Sequence, residues 1–278
     1  MPAILEYVPY RKNDTYAVQD QSDEYTTQEQ DDALVAIAWI AAQPWCSGAV
    51  GTLGYSWGGF NGLQVAARQP PALKAVVSVY MTEDRYADDA HYMCGFLLTE
   101  EMLGWGTTMH KVVTRPPDPK SVGASWKPIS EERLAAFHPQ VHTWLTHQRR
   151  EAYWAHGPVC EDFSAITRAA YPVGGWCDGY RDAVFRLTQD LSCPKKGLIG
   201  PWSHHYAMCP SEPGPHIGFL QECIRFFVEW LKGDYTGVMD GPSPWAWIQD
   251  PVGPATHHPE RPGRWAAGAM GSRAVVAI

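Results

Sequence analysis

Residues 49–60 read Ala49-Val50-Gly51-Thr52-Leu53-Gly54-Tyr55-Ser56-Trp57-Gly58-Gly59-Phe60. An apolar run, Ala49 to Leu53, ends in a Gly-x-Ser-x-Gly turn, and an apolar-periodic stretch, Phe60 to Ala67, follows it. Strand, sharp turn and helix in that order form the setting in which a serine hydroxyl is thrust clear of the backbone. Such a turn leaves no room for a Cβ at its flanks, which accounts for Gly54 and Gly58. Ser56 is therefore a candidate nucleophile, and it requires a base and an acid from elsewhere in the chain.

The elements on either side extend the same pattern. Ile4 to Val8 reads as a short buried strand ending at Pro9-Tyr10, and the polar stretch from Arg11 to Gln28 reads as loop. Gln28 to Ala42 has helical spacing, with Leu34, Ala38 and Ala41 on one face, Ile37 beside them and a Thr-Thr cap in front. Trp57 to Arg68 is a second helix and the valine-rich run Ala72 to Tyr80 a third strand. Alternating strands and helices imply right-handed βαβ units around a parallel sheet. Two more strands are expected, Ala170 to Val173 and Gly197 to Ile199, then an amphipathic helix, His216 to Lys232, and a strand-like run, Trp245 to Ile248.

Composition narrows the function classes. A formal charge of −8, a pI near 5.7 and no Lys/Arg cluster argue against nucleic acid or an anionic membrane as partner. No apolar stretch approaches a membrane span and no secretory leader is visible at Met1-Pro2-Ala3-Ile4-Leu5, so a cytoplasmic location is expected. Seven cysteines without Cys-x-x-Cys pairs fit free thiols rather than a disulfide framework or a zinc site, and no cofactor or metal is expected.

Ligands in an open parallel sheet sit beyond the carboxyl ends of its strands. Three expected strand ends carry reactive side chains: Ser56; Asp178, in Gly174-Gly175-Trp176-Cys177-Asp178; and His204, in Gly200-Pro201-Trp202-Ser203-His204-His205. The order Ser, Asp, His is that of α/β-hydrolases. His204 would take the Ser56 proton, and Asp178 would hold the imidazole tautomer. Taken singly, Asp178 also suits a turn residue and His204 an ordinary polar side chain; order and placement together carry the reading. The segment Glu83-Asp84-Arg85-Tyr86-Ala87-Asp88-Asp89 admits two readings, a carboxylate site for a substrate amine or an acidic first helical turn, and the helical turn is favoured.

The chain also resembles the CocE/NonD hydrolases, the group that includes cocaine esterases, α-amino-acid ester hydrolases and S15 Xaa-Pro dipeptidyl-peptidases. Pro9-Tyr10-Arg11-Lys12, Gly54-Tyr55-Ser56-Trp57-Gly58-Gly59, Gly175-Trp176-Cys177-Asp178 and Gly200-Pro201-Trp202-Ser203-His204 carry the resemblance. It implies Ser56 as nucleophile, Asp178 as acid and His204 as base, with His205 the lesser candidate. It also implies an oxyanion hole made by the Tyr10 hydroxyl and the Trp57 N–H, and a small-molecule ester or short peptide as substrate.

The chain departs from that family by lacking its N-terminal strand pair and the helix and strand expected after the Tyr10 strand. The expectation is an α/β-hydrolase fold with a reduced parallel sheet of about five strands and an inserted helical cap. Residues 1–81 and 167–240 would form the core and 82–166 the cap, with 241–278 a remnant of a C-terminal β-sandwich or an irregular tail. The Tyr10 strand would become a bare edge, to be covered by a partner chain or a homo-oligomer. The competing expectation is a catalytically silent, truncated homologue acting as a binding module or a non-functional fragment.

Overall fold

A computed structural model describes residues 1–9, 24–155, 157, 159–241 and 243–267 of the 278. The first half is the expected βαβ series: β1 (Ala3–Tyr7), α1 (Thr27–Ala41), β2 (Val50–Tyr55), α2 (Trp57–Ala67) and β3 (Leu73–Val79). A long excursion follows, with a short hairpin, β4 (Tyr92–Met93) and β5 (Phe96–Leu97). Its helices are α3 (Thr99–Thr114), α4 (Pro119–Val122), α5 (Trp126–Ala136), α6 (Gln140–Thr146) and α7 (Ala152–Ala155). The chain returns through β6 (Ala169–Gly175), α8 (Ala183–Asp190), β7 (Leu198–Gly200), α9 (Phe219–Lys232), β8 (Trp245–Gln249) and β9 (Gly263–Ala267).

The main sheet has seven strands in the order β1-β2-β3-β6-β7-β8-β9, parallel except for the antiparallel β8–β9 pair. The expectation of about five strands is therefore corrected. The five are present and contiguous, with β1 at one edge. The run Trp245–Gln249 joins the same sheet beside β7, and β9 pairs with it in a register that sets Trp247 opposite Trp265.

Burial explains the order. β3 and β6 are buried at almost every position, as befits central strands covered on both faces. β1 alternates between half-buried and exposed residues, as an edge strand does, rather than being buried as its sequence suggests. The inner faces of the two flanking helices are set by packing, and that of α1 is rotated from expectation. α1 buries Gln30, Ala33 and Ile37, one step round from the Leu34–Ala38–Ala41 face. α9 buries Phe219, Cys223, Phe226, Phe227 and Leu231, leaving Leu220 and Ile224 exposed. In both, apolar residues occupy more than one stripe, so spacing alone does not choose the inner one. For α9 the choice follows from Gly51, whose missing side chain leaves space on β2 that the Phe227 ring and Leu231 fill.

The glycines at the Ser56 turn are required by contact. A Cβ on Gly54 would lie 1.9 Å from the Gly58 carbonyl oxygen, and one on Gly58 2.1 Å from the Tyr7 carbonyl oxygen. Neither neighbour is a flexible side chain. Gly54→Ala is expected to destabilise the protein by roughly 3–5 kcal/mol, the range of severe overpacking, and to lower Tm by about 10 °C or more. Gly253→Ala, where a Cβ meets nothing within 4 Å, should leave Tm nearly unchanged. Thermal melts of the two variants check this, and equal melting temperatures would refute it.

Candidate active site

Ser56 sits between β2 and α2 with φ 57° and ψ −126°, a backbone conformation that L-residues seldom adopt. Holding it costs on the order of 1–3 kcal/mol, which the surroundings must offset. They do so with backbone bonds on both sides, Ser56 N–H to the Val79 carbonyl (2.8 Å) and Phe60 N–H to the Ser56 carbonyl (3.0 Å). The first N–H groups of a helix have no partner within it, and α2 begins at Trp57, the residue that follows the serine.

Asp178 follows β6 and is buried. His204 follows β7 and keeps its side chain 38% exposed, open enough to meet a ligand. The His204 Nδ1 lies 2.8 Å from Asp178 Oδ1. A carboxylate at that nitrogen favours the tautomer with the proton on Nδ1, which leaves Nε2 free to accept. The neighbouring His205 instead points Nδ1 at Glu212, 3.1 Å away. Ser56, Trp57, Asp178 and His204 all line one cavity of about 660 Å³, together with Tyr25, Met93, Leu98, Trp105 and Tyr180. Tyr10 lies outside the described residues.

Three residues beyond the sequence candidates frame His204. The rings of Tyr55, Tyr80 and Tyr180 stand 5.0, 5.6 and 5.8 Å from its ring centroid, and the Tyr55 hydroxyl donates to the His204 carbonyl. Glu212, buried, accepts from the Ser203 N–H and pairs with His205, so both neighbours of His204 are tied to one carboxylate. Tyr55 was visible in the sequence inside the serine turn itself. Glu212 was not, because it reaches His204's neighbours across a loop rich in Pro and Gly that has no periodicity.

The acidic segment is neither a helical turn nor a set of free carboxylates. It folds as a turn in which Asp84 accepts the N–H groups of Tyr86 and Ala87, both at 3.0 Å, and pairs with Arg150 at 2.7 Å. Burial opposes the Asp84 charge, but those bonds prevail and hold its carboxyl below the usual range. Glu83 and Asp88 both reach Arg186 on α8, and burial pushes their carboxyls upward despite that cation. Asp89 accepts the Tyr180 hydroxyl at 3.0 Å and the Ala90 N–H at 2.7 Å. Asp88 and Asp89 both contribute to the cavity wall, but both carry internal partners.

The chain is similar to several known hydrolases. Over 256 residues the chain is 25% identical to the cocaine esterase of Rhodococcus sp. (strain MB1 Bresler), covering 73% of this chain and 44% of that enzyme. It superposes on a CocE/NonD family hydrolase from Staphylococcus aureus with a TM-score of 0.66 at 16% identity, covering 90% of this chain and 40% of that one. An α-amino-acid ester hydrolase gives 0.55 at 17% identity, over 82% of this chain and 41% of its own. At such identities these structures speak for the α/β-hydrolase fold, and the chain spans less than half the length of each of these three relatives. The model of the X-Pro dipeptidyl-peptidase (S15) family matches residues 18–206, which takes in Ser56, Asp178 and His204. With more than half of its length inside that match, the chain belongs to the X-Pro dipeptidyl-peptidase (S15) family.

Proposed function

We propose that the protein is a serine hydrolase that cleaves a small-molecule ester, or the acyl bond of a short peptide, through an acyl-enzyme at Ser56. The observation that carries this is the 2.8 Å approach of His204 Nδ1 to the buried Asp178, in the same cavity as a serine held in a strained turn.

His204 Nε2 removes the hydroxyl proton as Ser56 Oγ attacks the substrate carbonyl, and the charge that develops moves onto the carbonyl oxygen. The Trp57 N–H stabilises that oxyanion, together with the Tyr10 hydroxyl that the family resemblance implies; donors of this kind contribute about 3–4 kcal/mol each in related chemistry. The imidazolium, stabilised by Asp178, protonates the departing alcohol or amine and leaves the acyl group on Ser56. Water then attacks the acyl-enzyme with the same base, returning the free serine and a carboxylic acid. A cavity of about 660 Å³ walled by Trp57, Trp105, Tyr25, Met93 and Leu98 suits a drug-sized, largely apolar substrate.

With an activated aryl ester the protein should release a burst of alcohol close to one equivalent per chain before the steady rate. A fluorophosphonate probe should label Ser56 alone, as read by peptide mass spectrometry. A cooperatively melting protein with neither burst nor label would instead be the silent homologue.

A further inference from the structure

Behind the cavity wall lies a group of buried charges that the reaction above does not use. Glu24, Arg85, Asp89 and His91 are each at most 3% exposed. His91 Nε2 is 3.0 Å from Glu24 Oε2, and its Nδ1 is 3.3 Å from Asp89 Oδ2. Arg85 approaches the same Glu24 oxygen at 3.5 Å, its guanidinium lying over the Tyr25, Tyr153 and Trp154 rings. A histidine with both nitrogens facing carboxylates is best satisfied as the imidazolium, since a neutral ring would leave one bare nitrogen against an anion. The imidazolium then joins Arg85 as a second cation against the Glu24 and Asp89 anions, and pairing of this kind is how buried charge is tolerated.

Both carboxylates also reach outward to the cavity. Glu24 accepts the Trp105 indole N–H, and Trp105 packs edge-on against Trp57 with ring centroids 6.2 Å apart. Asp89 accepts the Tyr180 hydroxyl, and Tyr180 lies against the His204 ring. Each arm therefore ends on a residue beside the proposed chemistry. We propose that His91 is a positioning residue: as a buried imidazolium between Glu24 and Asp89, it fixes the two acceptors that orient Trp105 and Tyr180 against Trp57 and His204. The proposal rests on the serine-hydrolase reading for its kinetic consequences but not for its charge state. Without that cation, the Glu24 and Asp89 carboxylates lose the positive charge that lies between them. One must then take a proton or move apart, and its arm moves with it.

Burial opposes a charge on His91, but Glu24 and Asp89 outweigh it and raise its pKa from the usual 6.5 to about 9. The sign follows: its stabilising effect is complete below about pH 6.5 and is lost as pH rises through about 9. The groups facing it are Glu24 from the turn before α1, Arg85 and Asp89 from its own segment, and the aromatic rings of Trp144 and Trp154 from α6 and α7. Tyr25 and Tyr180 also border the cluster, but burial raises both phenols well above that window.

Nitrogen-15 NMR of the wild-type imidazoles at pH 7.5 should show His91 with both ring protons. His91→Gln should lower kcat with an aryl ester by about 10- to 100-fold, the scale of a small misplacement at a reacting centre, with a lesser change in KM. It should also lack the wild-type loss of Tm between pH 6.5 and 9. The double variant Glu24→Gln/His91→Gln removes one charge of each sign and should recover at least about tenfold of the lost kcat. A neutral His91, a single variant with wild-type kcat and alkaline limb, or a double variant no better than the single would each overturn the proposal. An inactive wild type would overturn the hydrolase reading instead, and the NMR and melting measurements would still judge His91. Should His91→Gln fail to fold, rescue of folding by the double variant supports the charge role, and failure of both with a neutral wild-type imidazole refutes it.

Discussion

Ser56→Ala is expected to lower hydrolysis of an aryl ester by about five to six orders of magnitude and to abolish fluorophosphonate labelling. The size follows from the division of labour at the site. On the proposed reading Asp178 and His204 act only through the serine oxygen, so its removal would silence all three together and leave the weak catalysis of the remaining donors. The fold should be indifferent. Residue 56 is held by its own backbone, through the bonds to Val79 and Phe60, and the structure shows its hydroxyl no packing duty that alanine would fail. A melting temperature within a degree or two of wild type, measured beside the rate, is part of the expected result. Hydrolysis at more than about one per cent of the wild-type rate would show that a nucleophile other than Ser56 is at work.

How much of this was legible beforehand differs between the sheet and the site. β2, β3 and β6 lie at the centre, and a strand covered on both faces is largely apolar, as Val76 and Val77 are, its few buried polar residues such as Ser78 being hydrogen-bonded. Such runs mark themselves. β9 does not: Gly-Arg-Trp-Ala-Ala becomes a strand because β8 offers it a partner, and nothing local predicts that. α8 was a different kind of miss, since Ala183, Val184, Leu187 and Thr188 form a regular buried stripe that the motif before it obscured. In the site, Ser56, Asp178 and His204 were readable because each closes a strand, which ties chain position to place in space. His91 and Glu24 are 67 residues apart and meet only when the excursion between β3 and β6 has folded back. Their types carry a hint, two charges too buried to stand alone, but burial is the one thing a polar residue in a loop does not announce.

Asp178→Asn supplies the second large effect, expected at about 10⁴-fold in kcat with little change in fold. Asparagine has the same shape and fills the same buried position after β6, so packing is retained. What changes is which proton goes where. The aspartate accepts from His204 Nδ1 at 2.8 Å and thereby keeps the proton on that nitrogen. An asparagine that turns its amide nitrogen toward the ring donates instead, and the proton moves to Nε2, the nitrogen that accepts from Ser56 in the proposed reaction. If it presents its amide oxygen, the tautomer survives but the imidazolium formed during attack loses its counter-charge. Either orientation weakens the base, and the first disables it. The two are separable: a tautomer shift is visible in the His204 ring nitrogen resonances of the resting variant, whereas loss of the counter-charge alone leaves them as in wild type. Burst amplitude decides the larger question. If Asp178→Asn retained a full burst at the wild-type rate, the Asp178–His204 contact would be structural, and a different acid would have to be sought among the carboxylates of the cavity wall.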